Sequence, residues 1–406
     1  MFPLRAQFLL SYGVYGGLLP FLPVFLEKER GLTQPQIGYV FGVSAIATIL
    51  TPVLLTLLAD TYITSRRLIG VLSFIGAAAL TAMLLVSGFW AILACYTVWA
   101  LAYLPVTSLV DGYHFSVQAQ RDLAKQTLTP YHHMRPLGTV GFLVPNFILF
   151  AALQMGADAS CSVIAAIIMS LLSAINTQLL PAISLPAAIE KTLEKKSLPT
   201  AAALRAMLEP HVLVFCISLW LVHLAVASYY TFYPRYLTEE IGIDRKWVGL
   251  VVSIGVTVEI GFILAWGWML NRFGLKRVMI AGIACAGIRL TLLACFPNEQ
   301  VAVGTQVFHG MWVIVLHVAP PVFMNSHAAG AYRNSIQGLF VMLVYGTSRL
   351  TGNAIGGHLS QGSMYVLFGV GAGLCFVAML LMFFAFHEKE RSLPQQAQDQ
   401  LAEDEK

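Results

Sequence analysis

Apolar runs of about twenty residues, each closed by charges or turn formers, recur along the whole chain. They fall near 4–26, 36–59, 68–87, 89–114, 135–155, 160–182, 210–236, 247–270, 275–296, 300–325, 332–357 and 362–387. A helix rising 1.5 Å per residue needs about 20 apolar residues to cross the hydrocarbon layer, so each run predicts one spanning helix. The runs are too long, and too continuous, for the period-two alternation of a membrane β-barrel. A helix that satisfies its own backbone is the remaining solution in lipid. The expected fold class is an all-α membrane protein with twelve transmembrane helices. The first run lacks a small-residue cleavage site after a short apolar core, so it is expected to be retained rather than removed as a signal peptide.

The polar punctuation gives the organisation. If both termini lie on one side, that side carries sixteen Lys and Arg residues, among them Arg66, Arg67, Lys195, Lys196, Arg272 and Arg277. The opposite loops carry five, namely Lys28, Arg30, Arg235, Arg245 and Lys246. Cationic loops stay in the cytoplasm, so both termini are expected there. The longest polar connection, 183–209, holds the run EKTLEKK and an amphipathic stretch between Pro199 and Pro210. It separates a six-helix bundle over 1–182 from a second over 210–387, and a polar tail over 388–406 is expected to be disordered. The halves share a loop signature: LLADTYITSRR after the second span and GWMLNRFGLKRV after the eighth. In each, a capping side chain, Asp60 or Asn271, precedes a short turn ending in paired cations, Arg66 and Arg67 or Lys276 and Arg277, with Arg272 beside Asn271. Equivalent loops in equivalent places predict an internal repeat.

Composition narrows the function class. The 406 residues are 58% hydrophobic and 11% charged, against roughly 25% charged in soluble domains. Twelve spans and their loops use the length, which argues against a conventional soluble enzyme or nucleic-acid binder. The net charge of +4 follows from basic cytoplasmic loops and requires no anionic partner. The six cysteines lie in apolar runs without metal-ligand spacing, so no metal site is expected. His132 and His133 read as loop residues. No phosphate-binding G-x-x-x-x-G-K-[ST] occurs, so any work must draw on a gradient and no cofactor is expected.

Ionisable side chains inside spans are costly and mark pathways. Glu259 lies twelve residues into its span. Desolvation favours its neutral form and a nearby Arg289 its charged form, and a carboxyl caught between them can exchange a proton. The alternative is a permanent Glu259–Arg289 ion pair that only joins helices. Asp111 shares a helix face with His114 one turn on, and Arg135, beside Pro136, offers a bidentate fork to that acid or to a solute. Their alternative role is gating or bundle stability. His309 and His317 lie about 12 Å apart along a helix and about 80° apart around it, so they cannot share a metal ion. Either can carry a proton or be structural. Tyr229, Tyr230, Tyr233 and Trp312 adjoin these groups, where rings can stack on a planar solute or pack the core. The G-x-x-x-G pairs at Gly352 and Gly369 permit close helix approach.

The two six-span halves and the repeated loop resemble the major facilitator superfamily, over the whole chain except the tail, with Leu57 and Thr61 departing from the usual loop pattern. The resemblance implies halves that rock about a midplane site, with Asp60, Arg66, Arg67, Asn271, Arg272, Lys276 and Arg277 in gating loops. The pieces LAYLPVTSLVDGYH, HMRPLGTVGF, ASYYTFYPRYL, GVTVEIGF, GIRLTLL and VFHGMWVIVLH are similar to segments of the phenylpropionate-permease group and of the lactose-permease-like and nucleoside:proton symporters. That likeness implies substrate roles for Asp111, Arg135, Glu259, His317 and Arg349, and coupling roles for Glu259, Arg289 and His309. Tyr229, Tyr230 and Trp312 are expected beside the solute. Trp312 stands where the lactose-like carriers place a carboxylate, and the aromatic run Tyr229, Tyr230, Phe232 and Tyr233 replaces seventh-helix acids, so the proton route does not transfer whole. The expectation is a monomeric, non-enzymatic secondary transporter in a lipid bilayer, importing a nucleoside, short sugar or aromatic carboxylate with protons. The rivals are an uncoupled facilitator or exporter of the same fold, and a receptor or intramembrane enzyme.

Overall fold

The computed structural model describes residues 2–59, 64–123, 131–181, 201–326 and 333–387. Every regular element among them is helical, and ten helices are long and apolar enough to cross a membrane. The other two expected spans coincide with the helix Gln34–Ala59 and with helical segments running from Arg333 to Gly362. The expected all-helical membrane fold is what the chain adopts.

Several boundaries differ from the apolar runs for identifiable reasons. The first run forms Phe2–Leu18 and Leu22–Lys28, interrupted at Pro20, because proline removes a helical donor and crowds the preceding turn, while Pro23 lies in the first turn of the second helix, where it is tolerated. The fourth helix extends to Leu123, beyond the apolar run. The tenth run is continuous but irregular, passing from a 3₁₀ turn at Thr305–Phe308 through His309–Val313 into a π turn at Ile314–Val318. The count of about 100° per residue used to place His309 against His317 does not hold across those turns.

The chain divides into two compact units. One gathers Met1–Lys196 with Tyr230–Ser253 and Asn353–Gln361, so two stretches of the second sequence half join the first. Inside it, Gly16 and Gly141 let the first and fifth spans approach closely, since a Cβ at either would strike the Phe142 or Leu9 backbone. Polar side chains tie the helices where no water can: Gln7 Nε2 donates to Ser173 Oγ at 2.7 Å, Asn176 Nδ2 to Gln7 Oε1 at 2.8 Å, and Ser73 and Ser173 share a bond of 3.1 Å.

The second unit comprises Ser197–Tyr229, Ile254–Gly352 and Gly362–Lys406. Its helix Leu275–Cys295 buries Val278, Met279, Gly282, Ile283, Ala286, Arg289 and Leu290, the three- and four-residue spacing of one face. Gly282 lies against Met311 and Val315, and Arg289, two turns on, shares its face. Gly352 plays the small-residue part expected of it, allowing the Leu224 backbone to approach, and Ser228 Oγ donates to the Gly352 carbonyl at 2.6 Å.

Candidate functional site

The strongest concentration of embedded polar groups lies in the second unit. Glu259 belongs to the helix Val248–Phe273. One turn before it stands Gly255, where a Cβ would come within 2.9 Å of His309 Cγ and 2.5 Å of Gln306 Oε1. Gly310 makes the reciprocal notch, filled by the Phe262 ring. These two glycines seat His309 against the Glu259 helix, and His309 Nε2 lies 3.9 Å from Glu259 Oε2. The His309 side chain is 7% exposed and that of Glu259 is 20% exposed, so the carboxylate is the more accessible partner.

Arg289 is fully buried. Its guanidinium carbon stands 4.5 Å from the centroid of Tyr229 and 4.7 Å from that of Trp312. The two rings meet at 79° with centroids 4.8 Å apart, and Arg289 Nη2 donates to the Tyr229 hydroxyl. The charge therefore occupies a corner between two π faces, each such contact worth about 2 kcal/mol when desolvated. On the other side Trp312 stacks with His309, three residues earlier, at 6.3 Å and 27°. Carboxylate, imidazole, indole, guanidinium and phenol thus follow one another across three helices and the single turn of His309–Val313. Tyr229 and Trp312, expected to face a solute, are 2% and 1% exposed and face Arg289.

A second cluster lies further along the same irregular helix. His317 meets His223 edge-on at 6.0 Å, and Tyr345 packs on His223 at 4.1 Å. The Tyr345 hydroxyl donates to the Leu316 carbonyl, inside the π turn where the helical ladder is disturbed. Arg349, one turn after Tyr345, is half-buried. His223 escapes sequence reasoning because a lone histidine in an apolar run carries no local signal. Only its packing against His317 brings it to notice.

In the first unit Asp111 is half-buried, and His114 is fully buried edge-on to Phe8 at 6.0 Å. The Arg135 side chain lies outside the described residues, so its expected meeting with Asp111 does too. Two turns before Asp111, Tyr103 stacks on Trp99 at 6.1 Å and 7°, and Tyr15 packs edge-on to Tyr103 at 5.7 Å.

Of the expected gating residues, Asp60 lies outside the described residues. Arg66 Nη1 donates to the Leu180 carbonyl at 2.8 Å, and Lys276 Nζ to the Phe386 carbonyl at 2.5 Å. Arg67, Asn271, Arg272 and Arg277 are at least partly exposed. Sequence reasoning missed an ion-pair belt in the first unit. Glu27 Oε1 accepts from Arg235 Nε at 3.0 Å and from Gln34 Nε2 at 2.7 Å, while Lys28 pairs with Glu239 at 2.6 Å and Arg245 with Glu29 at 4.0 Å. The alternating run E-K-E-R at 27–30 opposite the R, E and R of 235–245 was the available signal. Beside it Asp244 caps the turn Arg245–Trp247, and the Lys246 backbone N–H holds its carboxyl below the usual range.

Comparison with known proteins identifies the family and the fold. YegT of Escherichia coli K12, which bears a provisional nucleoside-transporter name, is 26% identical over 357 residues, covering 84% of this chain and 80% of that one. The xanthosine permease of the same organism is 24% identical over 416 residues, covering 96% and 97%. The crystal structure of the nucleoside transporter NupG superposes with a TM-score of 0.82 at 20% identity, over 96% of this chain and 99% of that one, and so shares the fold. The model of the MFS_1 like family matches residues 1–370, and the chain belongs to that family of major facilitator transporters.

Proposed function

We propose that this transporter imports nucleosides by proton symport across a bacterial inner membrane, with both termini in the cytoplasm. The observation that carries the coupling is the Glu259–His309 pair, 3.9 Å apart in membrane-embedded helices beside the buried Arg289. A carboxylate and an imidazole on neighbouring embedded helices are each able to take up and release a proton, and the greater exposure of the Glu259 carboxylate gives the proton an exit. The nucleoside substrate rests on the names of the relatives, and the sixteen-to-five cation bias supports the orientation.

In this reading Asp111, Arg135, Glu259, His317 and Arg349 serve the solute, with Tyr230 presenting a ring that is 41% exposed. Arg289 and His309 serve the proton. Alternating access requires the belt formed by Glu27, Lys28 and Glu29 with Arg235, Glu239 and Arg245 to open once per cycle, so it acts as the outer gate, while the loops around Arg66 and Arg277 serve the cytoplasmic side.

Uptake of labelled uridine, adenosine and xanthosine by proteoliposomes, with and without an inward proton gradient, tests the proposal. Accumulation above equilibrium that collapses with a protonophore is expected. Equilibration at the same level with and without the gradient would replace symport by facilitated diffusion, and no uptake of any of the three would remove the nucleoside assignment.

A further inference from the structure

We propose that Tyr229 and Trp312 are positioning residues for Arg289: the corner made by their ring faces sets where the guanidinium stands relative to the Glu259–His309 pair. It thereby sets the pH range in which that pair exchanges its proton. The inference rests on the proton-coupled reading above and gives the two rings a role distinct from stacking on a solute.

The geometry supports it from three directions. First, Arg289 is brought to the corner by the Gly282 face of its helix, and its guanidinium carbon stands 4.5 and 4.7 Å from the two ring centroids while Nη2 donates to the Tyr229 hydroxyl. A flat, weakly hydrated guanidinium suits that environment in a way an ammonium does not. Second, Trp312 contacts both Arg289 and the histidine paired with the acid: it stacks with His309 at 6.3 Å and lies 4.7 Å from the Arg289 guanidinium carbon. The indole is therefore the spacer between a fixed charge and a titrating one. Third, both rings are almost fully buried, 2% and 1% exposed, so their faces serve the protein's own cation in this state.

The titratable and charged groups around the pair are Arg289 from Leu275–Cys295, Tyr229 from Pro210–Arg235 and His317 from the π turn, with His223 and Arg349 beyond His317. Arg289 is a permanent charge in contact with the same Trp312 ring as His309, so moving it changes the field at the pair. A guanidinium released from the corner is free to move towards the Glu259 carboxylate, and a closer cation favours the charged acid.

The test follows the infrared carbonyl band of protonated Glu259 against pH in the purified full-length protein, the band being assigned by its loss in Glu259→Gln. Trp312→Phe keeps a ring face and should titrate with the wild type. Trp312→Leu and Tyr229→Leu should move the midpoint to lower pH by about one unit, the scale of a neighbouring opposite charge. A Leu variant that folds and titrates with the wild type overturns the proposal, as does a wild-type Glu259 that shows no titration. If neither Leu variant folds, Arg289→Lys decides, since it keeps the charge but not the flat face. A displaced midpoint supports the corner and an unchanged one overturns it. Nucleoside uptake is measured in parallel: its absence in the wild type removes the substrate assignment, while the titration still decides the role of the rings.

Discussion

At the residue scale, Glu259 and Gly255 do different work on one helix. Glu259→Gln should insert and fold normally, because the amide fills the same volume, but should lose gradient-driven accumulation, because an amide cannot cycle a proton. Exchange of internal for external nucleoside should survive, and a vesicle assay that reads both fluxes distinguishes the two. Normal accumulation by this variant would falsify Glu259 as the coupling acid. Gly255 matters for a steric reason legible only in three dimensions. Gly255→Val should push His309 out of its seat and destabilise the protein by about 1–3 kcal/mol, the usual scale of overpacking. Gly261→Val on the same helix, where nothing lies within 4 Å of an added Cβ, should cost within about 0.5 kcal/mol. Paired thermal-unfolding measurements on the two variants make the comparison.

At the scale of elements, these helices owe their packing to small residues and internal hydrogen bonds more than to hydrophobic contrast, since lipid is as apolar as the side chains it replaces. The Gln7, Ser73, Ser173 and Asn176 network is the clearest case. Gln7→Leu removes an acceptor for Asn176 and a donor to Ser173 from a buried network, at a cost of about 1–3 kcal/mol. The variant should unfold at lower temperature without any change in the pH dependence of transport, and a shifted pH profile would contradict a purely structural role. The tenth span shows how an element's irregularity brings together side chains that periodicity would not pair. Its regular turn His309–Val313 sets His309 beside Trp312 at the ordinary three-residue spacing, while the flanking 3₁₀ and π turns shift the register of His317, which meets His223.

At the scale of the whole molecule, alternating access is a balance between conformations separated by a few kcal/mol, so the ion-pair belt at residues 27–29 and 235–245 should tune it. The Glu27 and Arg235 side chains are 19% and 21% exposed, which makes the pair stronger than a surface bridge. Glu27→Arg should set like charges together and favour the opened outer end, reducing disulfide formation in a Lys28→Cys, Glu239→Cys background. Adding Arg235→Glu restores opposite charges with the signs exchanged and should recover the cross-link. Equal cross-linking in all three proteins would show that the belt does not hold this end closed.

Run length and the absence of alternation determined the helical membrane class, because the thickness of the bilayer and the need to satisfy the backbone leave few solutions. Loop charge supports an orientation, and polar residues inside apolar runs marked Glu259, Arg289 and His309 one by one, because an ionisable side chain in lipid is costly unless a partner or a water-filled pathway receives it, while the family resemblance grouped them. Tertiary structure alone decided their order in space. It placed His309 beside Glu259 through the Gly255 notch, set Arg289 between Tyr229 and Trp312, joined His223 to His317, and assembled charges more than two hundred residues apart, Glu27 and Arg235, into one pair. Those arrangements depend on which helix faces meet and on where a turn is over- or underwound, and neither is fixed by the local sequence of any one element.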